Sequence, residues 1–345
     1  MSLQRIAVIG AGHWGPNLIR NFHNRQRSEV VHVIDRDQGR LAQVASRYPD
    51  IATSVDAEDA FRDPGVDAVV VATPTVTHHP LVKRALEAGK HVLVEKPIAA
   101  SGDEADELCE LAERHDLILM VGHVFLYNGA VRAVKQYLES GELGRVYYIS
   151  MVRTNLGPIR ADVNAAWDLA SHDISIVNYW LDADPLTVSS VGGSWINANV
   201  EDAVFATIRY PGDVLVNLHT SWLNPRKARD ITVVGERKML TFDDINLTEP
   251  IRIYDKYVSD EASPAGFVDT FATFRASVRD GDIRIPNVSL GEPLKNECDE
   301  FIECVENGTA PTSDGRLGTR VVRALEALTR STQNAGREEA IESTP

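Results

Sequence analysis

The glycine-rich stretch G-A-G-H-W-G at residues 10–15 constrains the fold of this chain more than any other feature. It follows the apolar run 6–9 and opens a segment with helical patterning over 15–26, which predicts a strand, a tight turn and a helix start. Unpaired backbone N–H groups and the helix dipole favour an anion at such a turn. The stretch therefore predicts a pyrophosphate-binding loop, and the alternative is a glycine turn that only joins a strand to a helix.

A carboxylate stands where a dinucleotide-binding loop needs one. The apolar run 30–34 ends in Asp35, which lies 35 − 15 = 20 residues after Gly15. At this spacing a carboxylate accepts hydrogen bonds from the adenosine ribose hydroxyls and repels a 2′-phosphate. We therefore expect NAD as the cofactor, while Arg36, which can stack on adenine or pair with a phosphate, leaves NADP open.

The first third of the chain alternates between strand and helix patterns. Strands are predicted at 5–9, 29–35, 67–72, 91–95 and 117–121, and helices at 15–26, 38–47, 78–88 and 102–114. Short connections and nearly continuous apolar strands indicate a parallel sheet covered on both faces. Residues 1–122 are thus predicted to form a doubly wound α/β dinucleotide-binding domain of the Rossmann type.

The pattern changes after residue 122. Strands are predicted at 146–156, 186–197, 203–210, 213–223, 229–235, 238–243 and 248–254, and helices at 128–140, 168–182, 291–307 and 315–333. Successive strands without intervening helices predict an open, mainly antiparallel sheet. Residues 123–345 are therefore expected to form an α+β domain for substrate binding and oligomerisation, with a frayed tail from Asn334.

The composition excludes several classes of partner. The formal net charge of −15 argues against nucleic acid or an anionic membrane surface as a general partner, because both need clustered cations. The three cysteines form no C-x-x-C pair, which favours reduced thiols. The N-terminus lacks the apolar core of a signal peptide, and no apolar run approaches the roughly 20 residues that span a bilayer. We expect a cytoplasmic protein.

A lysine is predicted at the edge of the parallel sheet where ligands bind. The triplet Glu95-Lys96-Pro97 directly follows the fourth predicted strand, and Thr73-Pro74 follows the third, with His78 shortly after. Ligands of open parallel sheets bind outside the carboxyl ends of the strands. Lys96 is therefore a candidate catalytic group, and the alternative is a solvated charge at a strand end.

A carboxylate and an imidazole share one face of the helix predicted near 168–182. Asp168 and His172 lie four residues apart, and histidine titrates near neutral pH, so the pair suits acid–base chemistry. The alternatives are a helix N-cap for Asp168 and a structural role for His172. Asp173 is expected to be a polar surface group. No set of histidines and carboxylates reaches three ligands at a suggestive spacing, so no metal is expected.

In this order the motifs resemble the Gfo/Idh/MocA family of oxidoreductases. The matching residues are Gly10-Ala11-Gly12-His13-Trp14-Gly15, Asp35, Thr73-Pro74 with His78, Ala88-Gly89-Lys90-His91-Val92, Glu95-Lys96-Pro97, and Asp168 to His172. The resemblance implies that the lysine, the aspartate and the histidine deprotonate a substrate hydroxyl while hydride leaves for C4 of the nicotinamide. It also implies an open sheet whose free face makes a homodimer or homotetramer.

The chain departs from the family pattern at Ala170, Ser175 and Leu126, where glycine, aspartate and arginine are common. These departures bear on the sugar preference more than on the chemistry. The stretch 153–160 with Asn164 is similar to a branch of nucleotide-sugar dehydrogenases, some of which oxidise the 3-hydroxyl of UDP-N-acetylglucosamine. Arg153 and Arg160 are candidates to bind the diphosphate, because the planar guanidinium of arginine pairs with phosphate, and Asn155 and Asn164 are candidates to bind sugar hydroxyls. The alternative is that both arginines are ordinary surface residues and that both asparagines only stabilise turns.

Together these features predict an NAD-dependent oxidoreductase that acts on a secondary hydroxyl or ketone of a sugar or nucleotide sugar. The 3-hydroxyl of a UDP-N-acetyl sugar is the first candidate. The alternatives are an NAD-dependent glycoside hydrolase with transient redox, an inositol or free-sugar dehydrogenase, and a non-catalytic dinucleotide sensor. The predicted cofactor-binding residues are Gly10, Gly12, His13, Trp14, Gly15, Asp35, Arg36, Thr73, Pro74, His78, Glu95 and Lys96. The predicted substrate-binding residues are Lys96, Arg153, Asn155, Arg160, Asn164, Asp168 and His172, of which Lys96, Asp168 and His172 are the predicted catalytic set.

Overall fold

A computed structural model describes residues 3–23, 26–160, 163–258 and 278–343 of the chain. The chain divides into two compact units. Of the described residues, the first unit contains those within 1–127 and 291–326, and the second contains those within 128–290 and 327–343.

The first unit is built on a parallel sheet. Its six strands within the described ranges are β1 (Gln4–Ile9), β2 (Ser28–Ile34), β3 (Ala52–Ser54), β4 (Ala68–Val71), β5 (His91–Glu95) and β6 (Leu119–Gly122). They lie in the order β3-β2-β1-β4-β5-β6, and each pairing is parallel. This order places the two halves on either side of β1 and β4, which confirms the predicted doubly wound fold.

Helices cross between these strands. They are α1 (Gly15–His23), α2 (Gln38–Arg47), α3 (Glu58–Phe61), α4 (His78–Glu87) and α5 (Gly102–Arg114). The Asp37 side chain caps α2 by accepting from two backbone N–H groups, and the Ser101 side chain caps α5 by accepting from the Glu104 N–H. All four residues of β4 are fully buried, as expected for a strand with both faces covered.

The second unit is built on a mixed, mostly antiparallel sheet, which confirms the predicted class. Its strands in the described part of the chain are β7 (Val146–Leu156), β8 (Thr187–Gly193), β9 (Ala203–Tyr210), β10 (Val214–Ser221), β11 (Leu223–Gly235), β12 (Met239–Asp243), β13 (Ile251–Val258), β14 (Val278–Arg284) and β15 (Glu339–Ala340). Their order is β14-β13-β12-β11-β7-β10-β9-β8-β15, with β7 and β10 parallel to each other. The expected fraying of the tail is wrong at Glu339–Ala340, because these residues pair with β8.

Further helices in the described ranges are α6 (Gly129–Glu139), α7 (Ser171–Leu181), α8 (Pro293–Asn307) and α9 (Gly315–Gln333). Helix α7 buries Ile174, Val177 and Trp180, and the Trp180 Nε1 donates to the Val131 carbonyl at 2.9 Å. Asp173 is only 2% exposed, so its expected place on the surface is wrong.

The three cysteines, Cys109, Cys298 and Cys304, are buried free thiols. Within the described ranges, no helix is both long enough and apolar enough to cross a membrane.

Candidate active site

The turn between β1 and α1 needs glycine at both ends. Gly10 has φ +103°, and a Cβ there would lie 2.4 Å from the Ala72 carbonyl oxygen. A Cβ on Gly15 would lie 2.1 Å from the Gly10 carbonyl oxygen. Only residues without a side chain allow the strand, the turn and the helix to approach this closely.

The middle glycine, in contrast, approaches no backbone atom. A Cβ built on Gly12 would meet only the far end of the Arg40 side chain, at 3.5 Å from Nη1. The backbone of the turn is therefore accessible at the point where a pyrophosphate approaches the N-terminus of α1. His13 and Trp14 are exposed beside it, with their rings edge to face. The loop fits a dinucleotide on its own geometry.

Asp35 directly follows β2, beside this turn. Its Oδ2 accepts from the Ala11 N–H at 2.7 Å, and its Oδ1 accepts from the Asp37 N–H at 2.8 Å. Oδ1 keeps a further lone pair with which a ribose hydroxyl can bond, whereas Oδ2 is also contacted by Arg40 Nη1 at 3.5 Å. This arrangement is the one expected for an NAD ribose site.

Arg40 is a residue that sequence reasoning missed. Its guanidinium contacts the carboxylates of Asp35 and Asp37, each at 3.5 Å, and it lies beside Gly12. The neighbouring Arg36 is exposed. The sequence places Arg40 in the first turn of the helix predicted over 38–47. Its spacing does not reveal that the side chain turns back toward the glycine turn.

Two loops at the carboxyl edge of the sheet are joined by His78. The ring is 1% exposed, and its nitrogens contact the Pro97 and Thr73 carbonyl oxygens, both at 2.8 Å. Burial lowers the pKa of His78, although the two carbonyls favour the charged form. His78 therefore connects the loop that carries Thr73-Pro74 to the loop that carries Lys96, rather than facing a ligand itself.

Lys96 follows β5 at this same edge, and the Lys96–Pro97 peptide bond is cis. The preceding residue, Glu95, pairs with Gly122 of β6 and is half-buried. Desolvation by the surrounding protein raises the pKa of Glu95 to about 7, against the opposing effect of the Lys96 charge. A carboxyl that titrates near neutral pH thus stands next to the predicted catalytic lysine.

In the second unit, Asp168 is held on two sides. It lies in the wide π turn Ala166–Ala170 that precedes α7. Its Oδ1 accepts from Arg160 Nη1 at 3.1 Å, and its Oδ2 accepts from Trp222 Nε1 at 3.2 Å. Trp222 is 1% exposed, whereas the Arg160 side chain is 40% exposed. One oxygen of the Asp168 carboxylate therefore bonds to the buried core and the other to a cation that solvent reaches.

His172 lies in the first turn of α7 and is half-buried. The backbone beneath it is fixed, because the Ser175 hydroxyl donates to the His172 carbonyl at 2.8 Å. Ser175, at a position where the sequence comparison expects aspartate, is fully buried, and its hydroxyl bonds within α7.

Arg153 is an anchor of α7. It is 4% exposed, and its Nε and Nη2 contact Asp173 Oδ1 at 2.8 and 2.7 Å. A buried guanidinium paired with a buried carboxylate has given up its hydration for that partner. This geometry favours a structural link between β7 and the helix that carries His172, and not the predicted contact with a substrate phosphate.

The two predicted asparagine ligands make local bonds. Asn155 Nδ2 donates to the Gly157 carbonyl across a turn. Asn164 Nδ2 donates to Glu201 Oε2 at 2.8 Å, and its Oδ1 accepts from the Trp167 N–H at 3.0 Å. In this structure both side chains order the segment that leads to Asp168.

Comparisons with known proteins agree with this geometry. Residues 4–123 match the model of the oxidoreductase family with an NAD-binding Rossmann fold, Gfo/Idh/MocA, and residues 131–241 match the model of the Gfo/Idh/MocA C-terminal domain. UDP-N-acetylglucosamine 3-dehydrogenase from Acidithiobacillus ferrooxidans is 29% identical over 93% of this chain and 94% of its own length.

A solved structure of that enzyme superposes with a TM-score of 0.81 at 25% identity, covering 97% of this chain and 99% of the other. The NAD-dependent scyllo-inositol 2-dehydrogenase of Bacillus subtilis is 32% identical over 54% of this chain and 57% of its own length.

The glycine turn predicts a separation between folding and cofactor binding. Gly15→Ala places a methyl group against the Gly10 carbonyl, so we expect it to destabilise the protein by about 1–3 kcal/mol. Gly12→Ala meets no backbone, so its thermal unfolding should stay near that of the parent protein while its affinity for NAD falls at least about tenfold. Thermal unfolding and titration calorimetry with NAD measure the two effects. Equal losses of stability in the two variants would contradict this account.

The ion pair of α7 predicts a large cost on removal of one charge. Asp173→Asn removes the buried carboxylate that the Arg153 guanidinium contacts, which should lower the free energy of unfolding by about 3–5 kcal/mol. Arg226→Gln breaks the Arg226–Asp230 pair, whose side chains are 74% and 35% exposed, and should cost less than about 1 kcal/mol. Urea unfolding compares the two variants, and similar costs would rule out the anchoring role.

Proposed function

The chain belongs to the Gfo/Idh/MocA family of oxidoreductases, and we propose that it transfers hydride between NAD and a secondary hydroxyl or ketone of a nucleotide sugar. The 3-hydroxyl of a UDP-N-acetyl sugar is the first candidate. The observation that carries the proposal is the Asp168 carboxylate, held by Arg160 and Trp222 at the start of the helix that bears His172. It sets acid–base groups beside an accessible cation, and a nucleotide sugar offers both a hydroxyl and phosphates.

On the cofactor side, the roles follow from the glycine turn. Gly10, Gly12 and Gly15 present the backbone N–H groups of the turn to the pyrophosphate, and Asp35 bonds to the adenosine ribose. When bound, NAD supplies the carbon that accepts the hydride. The Asp35 carboxylate favours NAD, and the nearby Arg36 and Arg40 are the cations that a 2′-phosphate would meet.

On the substrate side, Lys96 and His172 handle the proton of the hydroxyl. One of the two accepts the proton, and a charged Lys96 can instead lower the pKa of the hydroxyl while His172 takes it. Asp168 orients these groups and balances their charge. The half-exposed Arg160 is the proposed contact to the diphosphate, in preference to the buried Arg153.

Two other substrates define the alternatives. The match to an inositol dehydrogenase favours a cyclic polyol, and it covers only 54% of this chain. A glycoside hydrolase with transient redox would cleave a glycoside without net formation of NADH. Absorbance at 340 nm with free sugars, inositols, glycosides and nucleotide sugars separates the three reactions.

The catalytic assignment predicts specific losses of turnover. Lys96→Ala and His172→Ala should each lower kcat at least about a hundredfold, because each removes a proton-handling group. Lys83→Ala, which removes a surface lysine paired with Glu107, is the control and should retain activity. Initial rates across pH with UDP-N-acetylglucosamine and NAD measure this. Turnover of Lys96→Ala close to that of the parent protein would refute the assignment.

The free face of the second sheet is the proposed site of self-association. Phe205, Leu215 and Tyr148 are 47%, 36% and 45% exposed, and they lie on the adjacent strands β9, β10 and β7. Leu215 pairs directly with Tyr148, and Phe205 stacks on His219 with 4.5 Å between ring centres. Large apolar side chains exposed on one face of a sheet are typical of an interface, and here polar residues such as Asn217 lie between them. We propose that a second copy of the chain covers it, in a homodimer or homotetramer.

Charge on this face should abolish the assembly. The double variant Phe205→Asp with Leu215→Asp places carboxylates on the apolar face, and we expect it to elute as a monomer in light-scattering chromatography. Val76→Asp, at a residue that is 78% exposed in the first unit, should keep the parent mass. A monomeric parent protein, or a double variant with the parent mass, would contradict this interface.

A further inference from the structure

Trp195 is a large exposed aromatic side chain to which the proposed reaction gives no role. It lies in the segment 194–202, which joins β8 to β9, and it is 67% exposed. Single apolar residues on a protein surface are common, so exposure alone assigns no function to this ring. The contacts that hold the ring in place are what point to a ligand.

A buried carboxylate fixes the backbone that carries the indole. Asp202 is fully buried, and its Oδ2 accepts from the N–H groups of Trp195 and Ile196 at 2.6 and 2.9 Å. The Asp202 N–H in turn donates to the Gly193 carbonyl at 2.8 Å, which closes the turn. Hydrogen bonds to an ionised carboxylate are among the stronger ones in proteins. The indole is therefore attached to a preorganised backbone, which reduces the entropy that a ligand loses by ordering its site.

A glycine sets the direction of the ring. A Cβ built on Gly193 would lie 2.3 Å from Cη2 of Trp195, so the six-membered ring of the indole packs on the backbone of that glycine. Any other residue at position 193 would displace the ring, because a side chain would occupy the same space. The indole thus has one defined position, and most of its surface is open to solvent in that position.

The segment 194–202 is bonded to the surroundings of Asp168 on two sides. The Asp202 carbonyl accepts from the Trp222 N–H at 2.9 Å, and Trp222 Nε1 donates to the Asp168 carboxylate. On the other side, Asn197 Nδ2 donates to the Arg160 carbonyl at 3.4 Å, and the Arg160 guanidinium donates to the same carboxylate. These contacts form a closed circuit from the segment to Asp168 and back, so the segment lies on the rim of the candidate site.

The order of the groups along this circuit matches the order of the parts of a nucleotide sugar. Trp195 is two residues from Asn197, so their Cα atoms are at most about 7 Å apart. Asn197 contacts the backbone of Arg160, and the Arg160 side chain contacts Asp168. A nucleotide sugar presents its reacting hydroxyl, then its diphosphate and then its base. With the hydroxyl near Asp168 and the diphosphate at Arg160, the base is the part that meets the indole.

We propose that Trp195 is the stacking platform for the nucleobase of the substrate, next to the contact between Arg160 and the diphosphate. The flat face of the base packs on the indole, and no covalent bond changes there. Removing such a platform lowers affinity about five- to hundredfold, and stacking accepts any base because every base has a π-face. Trp195 therefore selects a nucleotide-linked substrate over a free sugar, and it does not select one base over another. This subsite rests on the proposed reaction with a nucleotide sugar.

Titration calorimetry on the full chain saturated with NAD tests the subsite, because the cofactor then fills the other site that takes a nucleotide. In Trp195→Ala, the affinities for UDP and for ADP should each fall about five- to hundredfold, whereas inorganic pyrophosphate, which has no base, should bind as it does to the parent protein. Trp195→Phe keeps an aromatic face and should lose less. Ile196→Ala, which shortens the neighbouring side chain that is 57% exposed, is the control and should bind UDP like the parent protein.

Several outcomes would overturn the subsite. Trp195→Ala that binds UDP like the parent protein, or that loses UDP and pyrophosphate equally, would show that no base stacks on the indole. An equal loss of affinity for N-acetylglucosamine 1-phosphate would assign the ring to the sugar, and a changed mass in light-scattering chromatography would assign it to a contact between copies. If the parent protein turns over inositols or free sugars but no nucleotide sugar, the proposed reaction fails together with the subsite. If it turns over UDP-N-acetylglucosamine with a KM that Trp195→Ala leaves unchanged, only the subsite fails.

Discussion

The approach of Gly15 to the Gly10 carbonyl is the contact on which the rest of the site depends. With no room for a Cβ, the chain leaves β1 and enters α1 within a few residues, so the N-terminus of that helix faces the carboxyl edge of the sheet. The loops after β4 and β5 end at the same edge, and His78 ties them to each other. A backbone constraint in the turn after β1 thus directs the N-terminus of α1 to the edge of the sheet at which Lys96 follows β5.

The two arginines near α7 differ in burial and therefore in role. Arg153 and Asp173 are both buried, and their pair holds α7 on the sheet. Arg160 remains accessible and contacts Asp168, whose other oxygen is held by the buried Trp222. The chemically similar arginines therefore divide into one that positions the helix of His172 and one that is available to a phosphate.

Much of the fold follows from the sequence, because apolar runs and glycines act locally. The strands around residues 5–9 and 91–95 and the helix over 102–114 are where the pattern predicts them. Strand β3 was missed because its three residues, Ala52–Ser54, carry no apolar run and are largely exposed. Strand β15 was missed because its pairing with β8 is a long-range contact of a polar segment.

Side-chain direction is what the sequence leaves open. Spacing marks Arg153 and Arg160 equally, and only packing shows that the first turns inward to Asp173. The same limit hid Arg40, which reaches back to the glycine turn, and Trp195, whose ring folds back onto Gly193. The wide turn at Ala166–Ala170 was also unforeseen, because a π turn and an α-helix share the same residue preferences here.

The central claim is that hydride leaves a ring carbon of a nucleotide sugar for NAD. The most direct measurement uses UDP-N-acetylglucosamine that carries deuterium at C3 and follows the label by mass spectrometry of the nucleotide after turnover. The account predicts that the reduced nicotinamide carries the deuterium and that the sugar becomes the 3-ketone. Turnover that leaves the deuterium on the sugar, or reduced nicotinamide without label, would contradict it.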